Sequence, residues 1–120
     1  MTEGHLLSIP NRHVADYFSV TAEEKTALWA MVDEGKQLLE ERFRPDGYNR
    51  GINMGTTAGQ TVIHCHIHLV PRRSKDSVNS RGGVCCVIAG KADYEGGGQE
   101  NGVKSNLSKF LLGFVNGLQV

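Results

Sequence analysis

Between Gln60 and Arg73 the chain reads Gln-Thr-Val-Ile-His-Cys-His-Ile-His-Leu-Val-Pro-Arg-Arg, so that His64, His66 and His68 alternate with apolar residues. A two-residue period belongs to a β-strand, whose successive side chains point to opposite faces. The pattern predicts a strand over 61–70, with the three histidines on one face and Cys65, Ile67 and Leu69 turned into a core. Imidazoles on a partly buried strand need hydrogen-bond partners, because an unpartnered polar group is costly to remove from water. Strand propensity does not favour histidine, so packing alone is a poor reason for three of them. They mark a chemical site.

Two chemistries use histidine in this way. A neutral imidazole nitrogen attacks phosphorus when the other ring nitrogen is held in the right tautomer by a hydrogen-bond partner. His66 suits that role, because a titratable neighbour stands on either side of it. Alternating histidines also present nitrogens to zinc. A catalytic zinc usually draws on nearby carboxylates or carbonyls to orient its ligands. No Asp or Glu lies between Gly47 and Lys75. The spacing therefore ranks the nucleophile ahead of the metal, and on the residues alone both stay open.

The rest of the chain supplies a frame. Residues 6–9 read as a short strand and residues 13–18 as a helical turn. Thr21-Ala22-Glu23-Glu24 has the form of a capping box, with Thr21 as N-cap and Glu24 reaching back. The helix runs to about Phe43, and Leu28, Met31, Val32, Leu39 and Phe43 recur near a period of 3.6 as its buried stripe. Trp29 reads as core or a subunit contact. Pro45-Asp46-Gly47 is a turn. Residues 48–54 and 61–70 follow as an antiparallel pair, residues 84–88 as another strand, and residues 105–115 as an amphipathic terminal helix after the break at Gly96-Gly97-Gly98. The small residues from Gly55 to Gly59 let backbone approach a phosphate closely. Without the histidines beside it, an ordinary turn explains that run equally well. Arg72 and Arg73 read as a solvated basic pair.

The run from His64 to Val70 resembles the signature of the histidine triad superfamily of nucleotide hydrolases and transferases. Gly4-His5-Leu6-Leu7-Ser8-Ile9-Pro10-Asn11-Arg12-His13-Val14 is similar to that family's upstream segment. Gly51-Ile52-Asn53, ahead of Gly59-Gln60-Thr61, resembles its phosphate- and ribose-contacting stretch. Arg81-Gly82-Gly83-Val84 and Lys91-Ala92-Asp93-Tyr94 resemble the tail of bacterial members. The likeness implies an α+β fold, an antiparallel sheet with a long helix packed against it and a C-terminal helix. One domain is expected over 1–120, with a core of 4–94 and an extension of 95–120.

Position by position, the resemblance implies that His66 is the nucleophile and forms a nucleotidyl-enzyme intermediate at the α-phosphorus. His64 is implied to fix its tautomer or to lie in its hydrogen-bond chain. His68 is implied to contact the phosphate and help protonate the leaving group. A transferase branch carries glutamine at that third position, so His68 favours the hydrolase branches. Asn53, Gln60, Thr61 and Gly59 match the phosphate-holding stretch, and His13 matches a supporting histidine behind the triad. Nucleoside phosphoramidates and dinucleoside polyphosphates are the implied substrates, and a homodimer the implied assembly. No cofactor and no metal is expected, since the N-terminal C-x-x-C that holds a structural zinc in some members is missing.

Two departures stand out. Relatives usually carry a further segment ahead of Gly4, which builds part of the nucleobase pocket and contributes an acidic residue for the ribose. A nucleotide-binding protein with little or no turnover is therefore the alternative reading. Ser74-Lys75-Asp76 also differs, because many relatives have glycine before the aspartate.

Composition sets limits on the remaining possibilities. A chain of 120 residues has room for one core and not two. Thirteen basic against 13 acidic residues give no footprint for nucleic acid or a membrane surface. No apolar run is long enough to span a bilayer and no secretory leader is read, so a cytoplasmic location is expected. Cys65, Cys85 and Cys86 are odd in number and form no disulfide framework; Cys85 and Cys86 read as small buried hydrophobes.

Overall fold

A computed structural model describes residues 2–78 and 80. The chain divides between Asn79 and Ser80, and all elements described here belong to the first unit. The expected strand at 84–88, the helix at 105–115, Cys85, Cys86, the 81–94 tail motifs and the 95–120 extension lie outside the described residues.

Strand β1 (Leu6–Ser8) leads through a 3-10 turn at Tyr17–Ser19 to helix α1 (Ala22–Phe43), then to β2 (Gly47–Gly51) and β3 (Ile67–Arg72). The sheet is antiparallel in the order β1-β3-β2, with Leu7 and Gly51 on either side of His68 in register. This is the expected α+β arrangement, a long helix against an antiparallel sheet.

The helix begins where its capping chemistry dictates. Thr21 Oγ1 accepts from Glu24 N at 3.2 Å, and Glu24 Oε2 accepts from Thr21 N at 2.9 Å, so two otherwise orphaned amides are satisfied. Glu24 also accepts from Arg12 Nε at 3.0 Å and Nη2 at 2.8 Å, and Nη2 donates to Ser19 O at 3.2 Å as well. Hydrogen bonding from Arg12, then from the Thr21 amide, lowers the Glu24 carboxyl to about 2. The loop before the helix is thus tied to the helix N-terminus. At the other end Arg44 enters the left-handed region (φ 44°) and its N–H bonds Leu39 O at 3.2 Å.

Leu28, Val32 and Leu39 of α1 meet Ile67 and Leu69 of β3, with Val14, Val20 and Cys65 completing the core. Burying each such side chain fully is worth about 1.5–3 kcal/mol. Phe43 is packed at the margin. Met31 was expected in the stripe but is 48% exposed, because among the described residues the helix faces three strands and buries a narrower stripe than its periodicity offers. The helix comes closest to the sheet at Gly35, where a Cβ would lie 3.1 Å from Leu6 Cδ1. Ser8 Oγ donates to Leu28 O at 3.0 Å and joins the two layers in the interior. Trp29 packs on the core edge and donates from Nε1 to Tyr17 Oη at 3.1 Å.

All three strands are shorter than the sequence pattern predicts, β1 by one residue at Ile9. β2 stops at Gly51 instead of residue 54, and β3 starts at Ile67 instead of residue 61. Backbone hydrogen bonding explains the last difference. His64 N bonds Val62 O at 2.8 Å in a tight bend, and Cys65 N is taken by Val14 O at 2.7 Å. Residues 62–66 are therefore engaged elsewhere when the ladder begins, and of the three histidines only His68 lies in a strand. Among the described residues no helix is long and apolar enough to cross a membrane.

Candidate active site

Within β3 burial alternates without exception: Ile67, Leu69 and Pro71 are buried, while His68, Val70 and Arg72 are half-buried on the side away from the helix. The bend at 62–64 brings His66 beside His68 at the start of this open side, while the His64 ring lies against His13 and Pro10. The His66 and His68 rings meet edge to face, with centroids 4.8 Å apart and planes at 79°.

The tautomers follow from the partners. His66 Nδ1 lies 2.7 Å from His64 O. A carbonyl only accepts, so Nδ1 carries the proton and neutral His66 keeps its lone pair on Nε2. His64 Nε2 lies 3.1 Å from Pro10 O and is likewise the protonated nitrogen. Its Nδ1 is then an acceptor, and His13 Nδ1 at 3.0 Å donates to it. The His13 and His64 rings stack at 5.0 Å and 14°. His13 follows Arg12, so the Arg12–Glu24 ion pair that anchors this loop to α1 also positions His13.

His5 is the residue that sequence reasoning missed. Its Nε2 lies 3.0 Å from His68 Nδ1, and the rings are 5.2 Å apart. It sat in a quoted motif without a role. His5 stands just before β1, whose Leu7 pairs with His68, so the contact emerges from the register of that strand on β3. Burial, then the neighbouring His66 and His5, holds His68 below the ordinary histidine value.

The loop from Gly55 to Gln60 is fixed by its own hydrogen bonds. Gln60 is buried; its Oε1 accepts from Gly55 N at 2.8 Å and its Nε2 donates to Ala15 O at 2.8 Å. Gly59 N bonds Thr56 O at 3.0 Å, and Gln60 N bonds Gly55 O at 3.1 Å. These groups are occupied in fixing the loop. Gly55 and Gly59 take φ of 84° and 88°, where a side chain is strained. The side chains of Asn53 and Thr61 make no hydrogen bond among the described residues, and both stand beside this loop. The Asn53 Nδ2 atom lies 3.8 Å from a Cβ built on Gly59.

Arg72 is not the solvated charge expected. It grips Asp76 with Nε and Nη2 at 2.8 and 2.6 Å and donates from Nη1 to Asn49 Oδ1. Hydrogen bonding from Arg72, then from the Arg73 amide, lowers Asp76 to about 2. Cys65 is 1% exposed, and burial pushes its thiol upward, which suits a core residue. Among the described residues no group of three or more His, Cys, Asp or Glu is arranged to hold a metal ion.

Comparisons with known proteins bear on the family and the fold. A bis(5'-adenosyl)-triphosphatase from Dictyostelium discoideum is 42% identical over 77 residues, which cover 64% of this chain and 52% of that protein. An asymmetrical bis(5'-nucleosyl)-tetraphosphatase from Schizosaccharomyces pombe is 41% identical over 73 residues, 61% of this chain and 40% of that protein. The chain thus spans about half the length of the curated relatives it matches. Among solved structures, a HIT family protein from Bacillus anthracis aligns with a TM-score of 0.63 at 27% identity, over 98% of this chain and 75% of that one. A zinc-bound histidine triad family protein from Mycobacterium smegmatis aligns with a TM-score of 0.59 at 37% identity, over 65% and 57%. The family model described as the HIT domain matches residues 1–75, and the chain belongs to the HIT domain family.

Proposed function

We propose that this chain cleaves a phosphoanhydride or phosphoramidate bond at the α-phosphate of a nucleotide, with His66 Nε2 as the nucleophile. The carrying observation is the 2.7 Å contact from His66 Nδ1 to His64 O, which leaves the lone pair on Nε2. In the first step Nε2 forms a bond to phosphorus, and the bond from phosphorus to the leaving group breaks with its electron pair. The leaving group takes a proton from His68 Nε2. That proton is available when His68 is an imidazolium, whose Nδ1–H donates to His5 Nε2 across their 3.0 Å contact, and its loss leaves His68 neutral. In the second step water bonds to phosphorus, its proton passes to His68, and the pair of the N–P bond returns to His66.

Asn53 and Thr61 supply donors to the phosphate oxygens in this reading, while Gln60 and Gly59 act by shaping the loop that carries them. His64 contributes its carbonyl to His66, and His13 holds the His64 ring. The names of relatives that act on dinucleoside polyphosphates favour that substrate class over phosphoramidates. None of the steps routes through a metal, so chelator treatment is expected to leave turnover intact. A homodimer belongs to the same reading, as the resemblance implies.

The test is intact-mass spectrometry of the full chain, quenched without acid after mixing with diadenosine triphosphate or adenosine 5'-phosphoramidate, beside His66→Ala. A transient nucleotidyl adduct with product, in the unsubstituted protein only, is the expected result. Nucleotide binding with neither adduct nor product overturns catalysis and leaves a binding domain.

A further inference from the structure

We infer that Gly51 is a specificity-determining gap, the place beside His68 that admits a bulky leaving group; the inference rests on the nucleophilic reading of His66. Six glycines lie among the described residues, and most have a reason in the fold. Gly4, Gly55 and Gly59 take positive φ, and Gly35 lets the helix close on Leu6 and Leu69. Gly47 opens β2 after the turn at Asp46, opposite Arg72 and at the far end of the strand from the histidines.

Gly51 has none of these reasons. Its backbone is outside the left-handed region, and a Cβ built on it meets nothing within 4 Å among the described residues. A β-branched residue there would strengthen the strand, whereas glycine in a strand often marks the close approach of a ligand. Gly51 pairs directly with His68, and paired residues of an antiparallel ladder share a face. Any side chain at position 51 would therefore stand beside the His68 ring.

The other sides of that ring are filled. Leu7 is its neighbour across β1, His5 lies 5.2 Å away, and His66 stands edge-on at 4.8 Å. A leaving group that receives the His68 proton must lie against this ring, and among the described residues the open approach is over Gly51. A nucleoside polyphosphate needs that room. The ammonia released from a phosphoramidate does not.

The test compares kcat/KM for diadenosine triphosphate and for adenosine 5'-phosphoramidate in the full chain, unsubstituted and as Gly51→Ala and Gly51→Val. Gly51→Val is expected to lower the dinucleotide value about tenfold more than the phosphoramidate value, with Gly51→Ala between. Equal losses on both substrates, or no loss on either, would overturn the inference. Should Gly51→Val fail to fold, Gly51→Ala carries the same comparison. Absence of turnover in the unsubstituted protein would count against His66 alone. Calorimetric affinities on a His66→Ala background then decide about Gly51: weakened diadenosine triphosphate with unchanged AMP supports the gap, and parallel changes refute it.

Discussion

The two faces of β3 differ in everything except their backbone. Ile67, Leu69 and Pro71 point to the helix side and are buried, with Ile67 at 0% exposure. His68, Val70 and Arg72 point the other way and stay half-buried, where they meet His5, Asn49 and Asp76. The inner face secures the strand by excluding water from apolar surface, at roughly 25 cal/mol per Å². The outer face then presents titratable groups on a backbone already held rigid. A site built on such a strand inherits its precision from the core behind it.

Substituting neighbours on opposite faces tests this division most severely. Leu69→Ala should cost about 2–5 kcal/mol of stability, read by denaturant or thermal unfolding, because it empties part of the core. His68→Ala, one residue earlier, should leave stability within about 1 kcal/mol while turnover falls about a hundredfold or more. Comparable destabilisation by both would show that the faces do not divide the labour.

Acid titration sharpens the same contrast. His68 is held below its ordinary 6.5, so its share of stability is complete above pH 6.5 and is lost as pH falls through the lower folded value. Glu24 and Asp76 are lowered from 4.5 and 3.8 to about 2, so theirs is complete above pH 4.5 and is lost between 4.5 and 2. Stability against pH should therefore fall in two stages. His68→Gln should abolish the upper stage, and Glu24→Gln should reduce the lower. A single stage unaffected by either variant would contradict these assignments.

The smallest effect concerns a turn outside both faces. Lys75 takes φ of 70° in the turn that Asp76 closes. A left-handed backbone penalises any Cβ. Lys75→Gly should raise stability by about 0.5–1 kcal/mol, seen as a higher midpoint in urea. A lower midpoint would mean that the lysine side chain itself supports the turn.

What was legible in the sequence was mostly local. The capping box at Thr21 and Glu24 marked the start of α1, and alternation assigned Cys65, Ile67 and Leu69 to the interior. What was not legible depends on distant partners. The histidine alternation continues through residues 62–66, yet the backbone bends there because Val14 takes the Cys65 amide. Gln60 looked available to a substrate until Ala15 and Gly55 engaged its amide. Arg72 looked like ordinary surface charge, and its carboxylate partner emerges only from the turn at Lys75. His5 needed the register of β1 on β3 before its contact with His68 could be recognised.

The central claim is that the His64 carbonyl holds His66 with its lone pair on Nε2, ready for phosphorus. Long-range proton–nitrogen correlation NMR of the histidine rings, recorded above pH 7, reads that tautomer directly. His66 is predicted to carry its proton on Nδ1 with an unprotonated Nε2, and to attack in that form when nucleotide is added. A His66 ring protonated on Nε2 would contradict the account, because the nitrogen assigned to nucleophilic attack would have no lone pair to offer.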